Sequence, residues 1–152
     1  MTMDVACLRH RIVLLPALVL LSACTITTHV NPIPRDTVKA VCIKENTATW
    51  SKEFLPALRA QFERHGIATS VYPENPPADC RYRVEYDANW GWDLAVYLKY
   101  ADIRIFDGPQ MIGQATYDAR GGSGRLDKFG RTDEMLSQLM TKLLTGVGAA
   151  GS

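Results

Sequence analysis

Residues 80–88, CRYRVEYDA, alternate without a break: Tyr82, Val84, Tyr86 and Ala88 point one way, and Arg81, Arg83, Glu85 and Asp87 the other. A period of two with one apolar and one charged side is the pattern of an antiparallel strand buried on one face and wet on the other. Such a strand requires a sheet, and it requires whatever covers the sheet to lie on one side only. The chain continues through Trp90-Gly91-Trp92 into a second long run, Trp92 to Phe106. Its first half places Trp92, Leu94, Val96, Leu98 and Tyr100 on one parity, and its second half places Ile103 and Ile105 on the other. A strand changes faces only by inserting a residue, so a bulge is expected near Ala101 or Asp102. Asn89-Trp90-Gly91 suits a three-residue hairpin loop with Gly91 in the left-handed position. That loop would pair Ala88 with Trp92, Tyr86 with Leu94, Val84 with Val96 and Tyr82 with Leu98, all apolar and on one face. In this register Trp92 is a core residue at the rim of the sheet and Trp90 is the exposed tip.

The remaining elements follow from periodicity and turn chemistry. Val38 to Ile43 is a short apolar run suited to a central strand. Phe54, Leu55, Leu58 and Phe62 fall at helical spacing, with Thr49 or Ser51 as caps and Gly66 as a stop. Pro56 is tolerable only in the first turn, which puts the helix start near residue 51. Ile67 to Tyr72 reads as a strand, and strand–helix–strand at this length is a right-handed parallel crossover. After a proline-rich loop and the two long strands, Asp107-Gly108-Pro109-Gln110 turns into a strand over about Met111 to Ala119. Thr132 caps a final helix whose apolar stripe is Met135, Leu136, Leu139, Met140, Leu143 and Leu144. The expected fold is α/β, order β-α-β-β-β-β-α: a two-layer sandwich with a mixed sheet of about five strands and two helices on one face.

The first residues are a different kind of segment. Arg9, His10 and Arg11 precede an apolar run, Ile12 to Leu21, broken by Pro16 and followed by Ser22, Ala23 and Cys24. This is the order of a secretory signal, and the run is too short for the ~20 apolar residues of a spanning helix. Leu21-Ser22-Ala23-Cys24 resembles the lipobox of bacterial lipoproteins. The resemblance implies that Cys24 is lipidated, that it becomes the N-terminus, and that the chain sits in a Gram-negative envelope. Thr25, rather than an acidic residue, follows, so the outer membrane is the implied destination. The expected organisation is a signal over 1–23, a flexible tether over 24–37, one domain over 38–145 and a disordered tail over 146–152. Loss of residues 1–23 removes Arg9, Arg11 and Asp4 and takes the formal charge from +1 to zero. No basic balance remains to attract nucleic acid. Cys42 and Cys80 are the cysteines left after processing, in an oxidising compartment. A disulfide between them would be worth roughly 4 kcal/mol on chain-entropy grounds; two buried free thiols are the alternative.

The catalytic search finds no constellation. His29 lies in the tether and His65 ends a helix. Ser123 in GGSGR lacks the last glycine of a nucleophile elbow, and the same loop lacks a P-loop lysine. Cys42 and Cys80 have no histidine companions for zinc. The expectation is therefore no enzyme, no catalytic residues, no metal and no cofactor. The mature chain resembles a group of small proteobacterial outer-membrane lipoproteins through the lipobox at Cys24, VCI-x-EN at 41–46, FLPALRAQFERHGI at 54–67, ADC-x-Y at 78–82 and WDLAVYLKYA at 92–101. That resemblance implies an envelope lipoprotein, supports pairing of Cys42 with Cys80, and brings no activity or ligand with it. The expected function is a lipid-anchored, periplasm-facing interaction domain whose partners are the membrane, through Cys24, and an envelope protein. The candidate contacts are an exposed sheet edge, Trp90 and Trp50. A small-molecule or glycan binder using the loop tryptophans is the alternative.

Overall fold

The computed structural model describes residues 26–122 and 126–146. The expected signal, Cys24, Ser123 and the tail from residue 147 lie outside them. Six strands and two α-helices follow in the order β1 (Thr27–Asn31), β2 (Ala40–Lys44), α1 (Phe54–Arg64), β3 (Ala68–Tyr72), β4 (Tyr82–Asp93), β5 (Ala95–Asp107), β6 (Gln110–Asp118) and α2 (Thr132–Thr145), with a 3-10 turn at Asp127–Phe129 before α2. The strands form one sheet in the order β1-β6-β5-β4-β2-β3. β2 runs parallel to β3 and β4, and the other pairings are antiparallel, so the sheet is mixed as expected.

Both helices cover one face. Phe54 of α1 stacks on Tyr86 with ring centroids 5.3 Å apart. On α2, Leu143 lies where a Cβ on Gly113 would touch it at 3.2 Å. Tyr86 and Gly113 share a face through the pairs Tyr86↔Ile103 and Ile105↔Gly113. Between the layers lie Val41, Ile43, Leu58, Phe62, Val84, Ile103, Ile105, Leu136, Met140 and Leu143, all buried. Pro56 is the third residue of α1, where its missing N–H has no carbonyl to serve, as its chemistry demands. The helix begins three residues later than 51, and neither helix makes a side-chain cap bond, so the expected caps at Thr49, Ser51 and Thr132 are not formed.

Two further expectations are overturned. Residues 24–37 do not act as a tether throughout: Thr27–Asn31 form the edge strand β1 against β6. The chain then stays on the domain, with Ile33 buried and its N–H donating to the Leu143 carbonyl at 2.9 Å. An edge strand with four exposed residues out of five carries almost no apolar pattern, which is why periodicity passes over it. The hairpin register is the second correction. β4 continues through Asn89, Trp90 and Gly91 to Asp93, and the turn is at Leu94, which has φ 64°. The pairs are Val84↔Ile105, Tyr86↔Ile103 and Ala88↔Ala101. This register puts Ile103 and Ile105 on the covered face, where they also meet Ala115 and Gly113 of β6. The expected register would have spent that burial on Leu94 and Val96 instead. The face change does occur by a bulge: Asn89 pairs with Tyr100 and Trp90 with Leu98, leaving Lys99 as the extra residue, two positions before Ala101.

Candidate functional site

The β4–β5 hairpin outruns the helices that cover its base. Beyond the bulge the cross-strand pairs are Trp90↔Leu98, Gly91↔Tyr97, Trp92↔Val96 and Asp93↔Ala95. Trp90 and Leu98 are still covered. The Trp90 ring meets the Phe54 ring edge-on at 5.8 Å and the Trp50 ring at 6.2 Å, so Trp90 is a packed residue and not the exposed tip. Trp92 reverses the other way. By strand alternation it shares the side of the ribbon that Trp90 occupies, one same-side pair farther out, and it is 74 % exposed. Leu94 and Val96 beside it are 84 % and 53 % exposed, and Trp50 is 72 % exposed in the loop before α1. The tip is therefore a projecting apolar finger, carried by residues other than the tryptophan the sequence pointed to.

The opposite side of the finger is built up from below. The Tyr97 ring lies across Gly91, 2.9 Å from where a Cβ would stand, so a strand glycine is roofed by its cross-strand aromatic. Phe129 of the 3-10 turn meets Tyr97 edge-on at 5.8 Å. Lys128, only 2 % exposed, forms an ion pair with Asp93 and has its ammonium 5.0 Å from the Tyr97 centroid. Asp93 is the single charged residue from Asn89 to Leu98. Its charge is thus met by a buried partner. Sequence reasoning missed Lys128, since a lysine in a glycine-rich loop carries no signal of burial.

The outer sheet face is polar and internally paired. Asp102, 6 % exposed, accepts from Gln114 Nε2 at 2.8 Å and Thr116 Oγ1 at 2.9 Å, and Arg104 Nε stands 3.3 Å away. Arg104 Nη2 donates to Asp87 at 2.6 Å, so one guanidinium separates two carboxylates set directly opposite each other, Asp87 and Asp102. Asn46 donates to the Tyr86 carbonyl at 2.8 Å and to Asp87 at 3.2 Å. Burial pushes the Tyr86 phenol up, against a lowering by the Asn46 N–H that donates to it; burial likewise raises Tyr117. Asp118 is held below the usual carboxylate range by its hydrogen bonds from Arg120.

Cys42 and Cys80 are joined by a disulfide, with Cα atoms 6.1 Å apart. A cleft of about 680 Å³ opens beside it, lined by Ala40, Ala68, Ser70, Pro77 and Arg81 among others. Neither Trp50 nor Trp90 reaches it. Trp90 borders a smaller cleft of about 390 Å³ between the starts of α1 and α2, with Phe54, Arg131 and Asp133. Among the described residues, no three His, Cys, Asp or Glu side chains come together as a metal-ligand set, and no helix is long and apolar enough to cross a membrane.

No protein-family model matches the chain, and no curated protein matches it. Solved structures of PelC from Paraburkholderia phytofirmans are similar to it. A dodecamer of a PelC variant aligns at 12 % identity over 84 % of this chain and 100 % of that one, with a TM-score of 0.53. A second PelC dodecamer aligns at 13 % identity over 81 % and 96 %, with a TM-score of 0.50. At such identity the likeness establishes the fold alone: this chain is built on the same α/β arrangement as PelC.

Proposed function

We propose that this chain is an envelope lipoprotein, anchored by an acylated Cys24 on the periplasmic face of the outer membrane, whose domain works by contact with protein and not by catalysis. The observation that carries the reading is the pair of open sheet edges. β1 and β3 end the strand order, and each is paired on one side only. An unpaired edge offers a row of N–H and C=O groups that a partner strand can extend. Ser70 and Val71 of β3 and Thr28 and His29 of β1 are exposed along those edges. The PelC chains of the same fold are dodecamers, so a second copy belongs with other envelope proteins among the candidates. The ion-paired outer face also fits a contact role, because its carboxylates are engaged with arginine and amide groups of the same sheet.

A photo-reactive residue at Ser70 or at Thr28, introduced in living cells, should give a discrete protein adduct from at least one edge. No adduct from either position, at normal abundance of the chain, removes the reading. The exposed Trp50 ring, tilted against Trp90 at 6.2 Å, supports a second reading in which a sugar ring or other flat ligand lies on it. Tryptophan emission that stays constant across a panel of cell-wall fragments and lipids would dispose of that one.

A further inference from the structure

We infer that the β4–β5 hairpin tip dips into the interfacial layer of the same bilayer that holds Cys24, so that the domain is docked on the membrane at two points. The inference rests on the lipid-anchor reading above and adds a second contact to it. Its first support is the tip itself. Trp92, Leu94 and Val96 stand exposed together at the end of a rigid two-stranded ribbon. Tryptophan is at home in the headgroup layer, and leucine and valine gain by leaving water. Its second support is charge. A carboxylate in the tip would resist entry into a low-dielectric layer, and Asp93 is the one present; its partner Lys128 is already in place beneath it.

The third support fixes which surface the tip would meet. Thr27 pairs with Asp118, Asp118 with Tyr100, and Tyr100 with Asn89, so these four lie at one level across the sheet. β1 runs antiparallel to β6, so the chain before Thr27 leaves the sheet in the direction in which the hairpin projects. Ile26 is already at that end, against Gly122. Leu94 lies five residues beyond Asn89, or ~16 Å at strand rise. Cys24 lies three residues before Thr27 and reaches at most ~11 Å beyond it. An acyl chain on Cys24 therefore holds the bilayer surface no farther out than about the level of Trp92, and Leu94 projects past that level. A long tether would have left the tip free to point anywhere; a strand beginning at Thr27 does not.

The test uses the full mature chain purified from envelopes. Mass spectrometry first reports whether Cys24 is acylated, and an unacylated mature chain overturns the anchor reading and this inference with it. The acylated chain is then reconstituted into vesicles of phosphatidylethanolamine and phosphatidylglycerol with brominated acyl chains. The difference in emission between the wild-type chain and Trp92→Phe isolates Trp92, an exposed position where the change leaves the core intact. The expected result is quenching of that difference signal by the bromolipid and loss of its quenching by aqueous acrylamide. Vesicle-bound protein whose Trp92 is still quenched by acrylamide and not by bromolipid overturns the docking while leaving the anchor standing. Protection from both quenchers, with sedimentation above the monomer, overturns it in favour of a tip covered by a second copy.

Discussion

The β4–β5 ladder has an inner and an outer half that look alike as sequence and behave as opposites. The inner half pairs Val84 with Ile105, Tyr86 with Ile103 and Ala88 with Ala101, and these residues are buried beneath the helices. The outer half pairs Trp92 with Val96 on the same face, and both are exposed. What differs is the cover. α1 reaches as far as Trp90 through Phe54, and nothing described lies over Trp92. Hydrophobic periodicity reports which way a side chain points; it does not report where the layer above it stops.

That contrast can be broken or sharpened by substitution. The largest effect should come from Ile103→Ala in the inner half, which empties a fully buried site and costs about 2–5 kcal/mol in urea unfolding. A loss below about 1 kcal/mol would mean that the inner half is not the core. Asp93→Asn comes next, because it leaves the buried Lys128 ammonium without its counter-charge. Asp93 is half exposed, so a loss of about 1–3 kcal/mol is expected, with the change in amide exchange concentrated in Gly91 to Tyr97. Leu94→Gly should act in the opposite direction. Leu94 holds a left-handed backbone that costs a non-glycine residue about 1–2 kcal/mol, partly offset by the extra freedom of glycine when unfolded, so a gain of up to about 1 kcal/mol is expected as a rise in melting temperature. The smallest effect belongs to Val96→Thr. In the outer half it should stay within about 0.5 kcal/mol of wild type, and a cost comparable to that of Ile103→Ala would show that the tip is covered in solution.

Much of the architecture was legible in the sequence. The alternation of Tyr82 to Ala88, the α2 residues Leu136, Leu139, Met140, Leu143 and Leu144, and Pro56 in a first turn all fall where local physics puts them. So does the existence of a bulge in β5, since two apolar parities in one strand leave no other solution. The register was not legible, because β5 offers two apolar sets and β4 can pair with either. Ile103 and Ile105 win because β6 supplies Ala115 and Gly113 on their other side, a three-strand fact that a two-strand argument cannot contain. The exchange of roles between Trp90 and Trp92 follows from the same shift. β1 was hidden because its partner edge exists only once β6 is in place. The pairing of Cys42 with Cys80 was favoured by compartment and parity, and the 6.1 Å Cα separation permits it.

The disulfide has a consequence for the sheet edge beside it. Cys42 lies in β2 and Cys80 just before β4, 38 positions apart, and α1 and β3 lie within the covalent ring that they close. A strand is exchanged between copies of a protein only if its segment can open outward as an arm. β3 is fastened on both sides to the middle of the sheet and has no such freedom. It can receive a strand along its open edge, but it cannot be given away.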